Sequence, residues 1–422
     1  MTIRLSGDKK NNSWIIAVIF FFFIHPFLLN ISPILSYGII YGVPLIYLFL
    51  KFGYVVRLFS NLLKRQGRFY LAMYFLLFLL TLMIIFFHQS NDYSYFTVLR
   101  SVILSLIKYS FLGVIILRNV KEKENVVGYF LHYYIWANVL YVLFSLVLIL
   151  IPSFKALWFN VIYQNVLYLT EQRIYINRIG INGFAGYRET FACTMGVVFA
   201  LYLFEKGLQR KKYQYIVKVI ICLIGNFLYG RSGLALSVII ILFYILYYRK
   251  IRIRNLVVIF GMILALLASA RVAAEINPSF NTTIDWATRP FVEIFTEGTT
   301  DNYSLDNILH EMVFLPGFRT IMFGSGYYTD PFTGGYYMST DLGFMRLVLF
   351  YGISGVLIVY CMMLSLIKDI GSKSVFLGIS ILILFIGLEY KGEIWYSLFP
   401  LLLLIFMLYN YYNFPKGYLE ND

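Results

Sequence analysis

The hydrophobic positions of this chain lie in long continuous runs, broken by short polar stretches. An α-helix needs roughly 20 apolar residues to cross a bilayer, whereas the strands of a membrane barrel alternate apolar and polar residues. Because the runs are continuous, they predict helical spans. About twelve spans can be placed, near residues 14–35, 37–57, 69–88, 94–117, 127–151, 187–204, 213–229, 232–248, 255–272, 342–367, 374–389 and 394–413.

The pattern predicts an all-α polytopic membrane protein that forms a single integral membrane domain over residues 1–422. The first apolar run continues past Pro26 without a small-residue cleavage site, which favours an anchor over a cleaved signal. Two longer segments interrupt the alternation of apolar runs and short polar breaks, and we expect both on the outer face. They are a first outer loop segment at 154–186 and a large outer loop at 271–341, between spans 9 and 10.

Composition and charge set the expected topology. The chain is 60% hydrophobic and 13% charged, well below the roughly 25% charged residues of soluble proteins. When the breaks alternate between two faces, most of the 35 Lys and Arg fall on one face, which is cytoplasmic by the positive-inside rule. Both termini are then cytoplasmic. The net charge of +14 reflects topology and affinity for membrane lipid, and we expect no nucleic-acid partner.

Arginine dominates the cations assigned to the outer face, with only Lys155 and Lys391 beside it. Arginine grips phosphate and carboxylate with two parallel hydrogen bonds, so this face suits an anionic ligand. The outer arginines are Arg173, Arg178, Arg188, Arg231, Arg271, Arg289, Arg319 and Arg346.

The cysteines offer no metal or redox motif. Cys193, Cys222 and Cys361 all lie inside predicted spans, where we expect them to pack in the core. The chain has no CxxC motif and no Cys/His cluster. We therefore predict no zinc site and no structural disulfide. We also expect no cofactor.

A glycine-rich segment from Arg178 to Gly186 leads into the sixth span, which begins with Arg188 and Glu189. A carboxylate near the top of a span needs a partner. Glu189 either pairs with an arginine or serves as a base. The alternative is an Arg188–Glu189 cluster that only orients the helix.

The sequence Gly230-Arg231-Ser232-Gly233 separates two spans so briefly that Arg231 must lie at or just below the membrane surface. The glycines would let a ligand approach the backbone, and the helix that follows offers amides to an anion. The alternative is that Arg231 extends to lipid headgroups.

Ionisable side chains also occur at three further places in the chain. Asp341, with Arg346 about one turn later, is either a helix cap or a base and hydroxyl ligand. His310, in the large loop, is either a base or a solvated residue. Glu389, Lys391 and Glu393 share the last outer turn, where a mutual ion pair is the simplest interpretation.

The order of these motifs resembles the bacterial O-antigen and capsular polysaccharide polymerases of the Wzy type, relatives of the O-antigen ligases. The resemblance rests on Arg178 to Glu189, Gly230 to Gly233, the loop end at Phe323 to Gly326, Asp341 to Phe344, and Tyr351 to Gly355. These short motifs extend over nearly the whole chain.

The resemblance implies a GT-C-like glycosyltransferase in the cytoplasmic membrane, with its active site facing the periplasm or outside. It would polymerise oligosaccharide repeats linked to undecaprenyl pyrophosphate, without metal. It also implies a flippase and a chain-length regulator of the same pathway as partners. Ligases carry a His near the tenth span, whereas this chain has Asp341 there, which favours the polymerase.

The residues allow a mechanism of this kind. Arginines would stabilise the leaving pyrophosphate, and a carboxylate or His would take the proton of the attacking hydroxyl. Exposed aromatic rings would stack on sugars or simply pack in the loop. The pyrophosphate ligands would be Arg178, Arg231, Arg188, Arg289 and Arg319; the bases Asp341, Glu189 or His310; the sugar ligands Tyr327, Tyr328, Tyr336 and Tyr337.

Two other classes compete with an enzyme. A lipid-linked oligosaccharide flippase should show two related halves and charges in mid-span cavities. Here no half-repeat is visible, and the charges favour the outer ends of the spans. A non-catalytic assembly factor would not need so many outer arginines.

Overall fold

The computed structural model describes residues 13–120, 126–163, 178–206, 213–248 and 312–411. The predicted span 255–272 lies outside these residues, as do Arg173, Arg271, Arg289 and His310. Within the described ranges the α-helices are, in chain order, α1 Ser13–Ile24, α2 Pro33–Tyr37, α3 Val43–Leu50, α4 Phe52–Ser60, α5 Arg65–His88, α6 Ser94–Asn119, α7 Val126–Leu150, α8 Pro152–Val161, α9 Tyr187–Lys206, α10 Tyr213–Tyr229, α11 Arg231–Tyr248, α12 Phe318–Phe323, α13 Gly343–Tyr351, α14 Ile353–Lys373, α15 Val375–Glu389 and α16 Trp395–Asn410.

Six helical segments of the described chain are long and apolar enough to cross a membrane. Four shorter apolar helices, α1, α10, α15 and α16, lie at other predicted spans. The prediction of an all-α membrane protein is confirmed at this level, while the count of twelve spans stays a prediction. The six segments are Pro33–Leu50, Arg65–His88, Ser94–Asn119, Val126–Leu150, Arg231–Tyr248 and Ile353–Lys373.

Three predicted spans have the wrong bounds, and one of them, 37–57, is divided at Lys51 between α3 and α4. The first, 14–35, is helical only to Ile24, because Pro26 disfavours helical backbone in the residue before it and cannot donate an amide hydrogen bond. The tenth, 342–367, is broken at Gly352, where φ is +69°. A side chain at Gly352 would lie 2.6 Å from the carbonyl oxygen of Met322, so only glycine fits this break.

The described residues form two compact units, one of residues 13–39, 131–163, 178–206 and 213–248 and the other of residues 40–120, 126–130 and 312–411. In the first unit α9 packs against α10 and α11 and is buried along most of its length. Gly196 faces Cys222, and Gly225 faces Cys193, so small residues let the helices approach closely. Core packing is thus confirmed for these two cysteines but is wrong for Cys361, which is exposed.

In the second unit the buried centre is α16, which packs against α6 and α14. The buried apolar side chains of α16 extend along nearly the whole helix, from Trp395 to Leu408. Gly113 of α6 lies directly against Leu404. The buried carboxylates of this unit, Glu389 and Glu393, lie at the end of α15 and in the turn that follows it, beside Trp395 at the start of α16.

Candidate functional site

The glycine-rich segment after Arg178 folds as an antiparallel hairpin in the first unit, and each of its two strands is two residues long. Strand β1, Ile179–Gly180, pairs with β2, Gly183–Phe184. Ile181 and Asn182 form the turn, and Gly183, which pairs with Gly180, has a φ of +93°, a conformation that glycine adopts readily. The carbonyl oxygen of Arg178 accepts the amide of Ala185 at 2.8 Å. Arg178 therefore lies at the open end of the hairpin.

Long-range hydrogen bonds hold this hairpin and the start of α9 in place. The Trp158 indole donates to the carbonyl oxygen of Ile181 at 2.8 Å, and the Asn182 amide donates to that of Pro26 at 3.1 Å. The Arg188 guanidinium donates to the carbonyl oxygen of Ile24 at 3.0 Å. Arg188 is thus engaged by the end of α1 and not by Glu189.

Glu189 caps its own helix. Its carboxylate accepts the amide of Gly186 at 3.0 Å, the contact that a glutamate makes at the third helical position of a capping box. The side chain is buried. One carboxylate oxygen is therefore committed to structure, whichever role the second oxygen has.

Arg231 is the first residue of α11, and Gly230 alone separates it from α10. Gly230 and Gly233 both lie against Thr190 of α9. The structure thus gives these glycines a packing role that the sequence did not reveal. Strand β1 contacts α10, so the hairpin lies against the helix that ends just before Arg231. We name Arg178, Arg188, Glu189 and Arg231 the arginine cluster.

A second polar group occupies the other unit, around the start of α13 and the turn between α15 and α16. Glu393 is 3% exposed and accepts hydrogen bonds from the Tyr95 hydroxyl at 2.8 Å, the Tyr328 hydroxyl at 2.7 Å and the Trp395 indole at 2.7 Å. It also lies 3.9 Å from the guanidinium of Arg346. The sequence placed Glu393 beside Lys391, and the structure adds Arg346 as an ion-pair partner.

The Arg346 guanidinium lies between two aromatic rings. It is 3.8 Å from the ring centroid of Tyr328 and 4.1 Å from that of Tyr336. Cation–π contacts of this kind strengthen when the cation is removed from water, and Arg346 is 9% exposed. Arg346 is therefore fixed in position. We name Asp341, Arg346, Glu389 and Glu393 the carboxylate cluster.

Asp341 and Glu389 flank the first turn of α13. Burial raises the pKa of Asp341, against the lowering effect of the charges of Lys391 and Arg346. A carboxyl with a raised pKa is a stronger base than an exposed one. The Glu389 carboxylate accepts the amide of Ile394 at 2.9 Å and lies directly against Gly343.

We expect Gly343→Ala to destabilise the second unit. Its new methyl group would lie 2.5 Å from Glu389 Oε1 and 2.9 Å from the Glu389 carbonyl oxygen, and overpacking typically costs about 1–3 kcal/mol. Thermal unfolding of the purified variant measures the effect. Gly317→Ala is the control, because no atom lies within 4 Å of the added methyl position. Equal unfolding midpoints for the two variants would contradict the close packing.

Asp92 is a structural residue of this unit that the sequence did not single out. Its carboxylate accepts the amides of Tyr328 at 2.6 Å and Thr329 at 2.8 Å, and that of Ser94 at 2.9 Å. An Asp just before a helix is a usual capping signal. The Ser94 contact was therefore foreseeable, whereas the contacts with the distant loop were not.

We expect Asp92→Ala to release the loop that carries Tyr327 to Tyr337. The substitution removes two charge-assisted hydrogen bonds to the loop backbone, each worth about 1.5–3 kcal/mol. Limited proteolysis should then cleave between residues 327 and 337 faster than in the wild type. Ser372→Ala, whose exposed hydroxyl donates within its own helix to the carbonyl oxygen of Asp369, should leave the cleavage rate unchanged. An unaltered rate in Asp92→Ala would show that other contacts hold the loop.

The predicted sugar-binding tyrosines differ in what they offer. Tyr328 is committed to Glu393 and Arg346, and burial raises its pKa well above the usual value. Tyr327 and Tyr337 stack on each other at 5.4 Å. Tyr336 is 53% exposed. Of the two tyrosines that contact Arg346, it is the more exposed. Arg319, a predicted pyrophosphate ligand, is exposed on α12.

Among the described residues, no group of three His, Cys, Asp or Glu side chains is placed to hold a metal ion. No family model, no curated protein and no solved structure matches the chain. The two clusters, through their charges and hydrogen bonds, carry the functional proposal.

Proposed function

We propose that this protein is a glycosyltransferase of the cytoplasmic membrane that polymerises oligosaccharide repeats linked to undecaprenyl pyrophosphate. In this proposal both termini are cytoplasmic and both clusters open to the outer side of the membrane. The observation that carries the proposal is the position of Arg231. This arginine opens α11 immediately after the end of the buried helix α10, where the N-terminal amides of α11 add to its charge.

The arginine cluster suits a pyrophosphate. The guanidinium group forms paired hydrogen bonds with phosphate oxygens, and the start of a helix favours an anion through its free amides and dipole. Arg231 has both features. Arg178, at the open end of the hairpin that lies against α10, is proposed as the second ligand. Arg188, held by Ile24, contributes the remaining charge.

The reaction proposed is a direct glycosyl transfer. A hydroxyl of the acceptor sugar attacks the anomeric carbon of the donor, and a new carbon–oxygen bond forms. The bond between that carbon and the pyrophosphate oxygen breaks, and undecaprenyl pyrophosphate leaves with the electron pair. The arginines stabilise the leaving charge without metal.

The proton of the attacking hydroxyl goes to a carboxylate. Glu189 and Asp341 are the bases proposed among the described residues, and His310 lies outside them. Glu189 lies in the same unit as Arg178 and Arg231, and it uses one oxygen to cap α9. Asp341 belongs to the second unit, where burial raises its pKa and makes it the stronger base.

The decisive experiment uses the purified full chain in liposomes with lipid-pyrophosphate-linked repeats. A ladder of polymer, resolved by electrophoresis and mass spectrometry and formed equally in EDTA and in Mg²⁺, is expected. Movement of the intact repeat across the bilayer without a ladder would identify a flippase. Transfer only to a separate glycolipid acceptor would identify a ligase. If neither product nor movement is detected, all three activities are rejected.

A further inference from the structure

A cavity in the second unit lies between the start of α5 and the ends of α14 and α16, where α14 packs against the other two helices. Its volume is about 60 Å³, which is room for about four to six water-sized groups. A short polar group fits this space, whereas a whole sugar does not. The lining includes Gln66, Asp369, Ile370, Lys373, Phe406 and Asn410.

The cavity is at the depth of the lipid headgroups. Both α5 and α14 are long and apolar enough to cross the membrane, so their ends lie at its surface. These ends carry Arg65, Arg68, Lys368 and Lys373, which favours the cytoplasmic leaflet by the positive-inside rule. Polar cavities between helices at this level are places where lipid headgroups bind.

The acidic side of the cavity is held by contacts within the unit. Tyr70 is buried, its hydroxyl donates to the carboxylate of Asp369, and its ring packs edge-on against Phe406 with the centroids 5.5 Å apart. A carboxylate offers about four acceptor positions. Among the described residues, Tyr70 alone donates to this carboxylate, so Asp369 keeps capacity to accept from a ligand.

The basic side of the cavity is Lys373, four residues after Asp369 on α14. Residues at this spacing lie on one face of a helix, with Cβ atoms about 5–6 Å apart. Lys373 is exposed and forms no hydrogen bond or ion pair with another described residue. The two opposite charges therefore line one cavity without neutralising each other directly.

This pair of charges selects the class of ligand. A simple anion would be repelled by Asp369, and a metal cation would find one carboxylate and be repelled by Lys373. A zwitterion with a primary ammonium two carbons from a phosphate satisfies both, since the ammonium donates to the carboxylate and the phosphate accepts from the lysine. A quaternary ammonium has no N–H to donate, and its three methyl groups need more room.

We propose that this cavity binds the headgroup of phosphatidylethanolamine, with Asp369 accepting from the ammonium and Lys373 donating to the phosphate. Ile370 and Phe406 supply an apolar wall for the two methylenes between these charges. The inference does not depend on the proposed glycosyl transfer, because it uses no residue of the arginine cluster or the carboxylate cluster.

The test measures lipid binding to the purified full chain by native mass spectrometry, with phospholipids of identical acyl chains. We expect phosphatidylethanolamine to bind the wild type about tenfold more tightly than phosphatidylcholine or phosphatidylglycerol. Asp369→Asn keeps an acceptor for Tyr70 but removes the charge, and it should abolish this preference. Lys373→Gln should lower the affinity for phosphatidylethanolamine.

Two variants serve as matched controls and should bind lipid as the wild type does. Glu205→Gln alters another carboxylate that accepts from a tyrosine hydroxyl, that of Tyr244 in the first unit. Lys368→Gln removes another exposed lysine of α14. Thermal unfolding without added lipid shows whether each variant is folded.

Three results would overturn the site. They are equal binding of phosphatidylethanolamine and phosphatidylcholine to the wild type, tighter binding of phosphatidylglycerol than of phosphatidylethanolamine, and a preference that survives in Asp369→Asn. Soluble glycerophosphoethanolamine separates the lipid from its free headgroup. At equal concentration it should not displace the lipid, and displacement would reject the lipid as the ligand.

Discussion

Arg231→Ala should abolish polymer formation while single repeats still accumulate on the lipid. The substitution removes the guanidinium proposed to hold the leaving pyrophosphate. Two charge-assisted hydrogen bonds of about 1.5–3 kcal/mol each would be lost, which lowers the transfer rate at least about a hundredfold. The measurement is the polymer ladder made by the purified variant from lipid-linked repeats in liposomes.

Matched variants separate loss of this contact from loss of charge or fold. Arg231→Lys keeps the charge but lacks the planar fork, so it should restore only part of the activity. Lys155→Ala removes another cation of the first unit, on α8, and should give a normal ladder. A full ladder from Arg231→Ala at the wild-type protein level would reject the role of Arg231.

Glu393→Ala should destabilise the protein more than any other single substitution in the carboxylate cluster. It leaves Arg346 buried without its counter-ion and removes the acceptor of the Tyr95, Tyr328 and Trp395 donors. Removing one partner of a buried ion pair costs about 3–5 kcal/mol. The thermal unfolding midpoint should fall by about 3–6 °C.

A double substitution separates the charge from the packing. Glu393→Gln retains an oxygen acceptor and should be less harmful than Glu393→Ala. Adding Arg346→Met to Glu393→Gln removes both charges together, which is often tolerated, and should recover part of the lost stability. The coupling energy of this cycle measures the interaction. Additive effects in the cycle would mean that the two charges do not stabilise each other.

The sequence was most informative where local periodicity alone governs structure. The apolar runs at 69–88 and 94–117 became α5 and α6 with nearly the predicted bounds, because a continuous apolar run leaves helix as the only way to satisfy its backbone in lipid. The break at Gly352 could not be predicted from the apolar pattern. Its cause is the approach of the Met322 backbone, a contact between distant segments.

For the candidate sites, the sequence likewise identified residues but not the contacts between distant segments. The sequence marked Arg178, Glu189, Arg231 and Asp341 by residue type and by glycine context. It did not show that Glu189 caps its own helix or that Glu393 pairs with Arg346. It also gave no sign that Asp92 holds the loop at Tyr328, 236 positions away.

The sequence by itself determined a membrane protein of apolar helices with charged breaks between them, because hydropathy and charge act on each segment separately. The tertiary structure alone decided which polar groups meet. It stacked Arg346 between Tyr328 and Tyr336 and placed Glu389 against Gly343. Such contacts depend on how helices pack in three dimensions, and no local period along the chain records them.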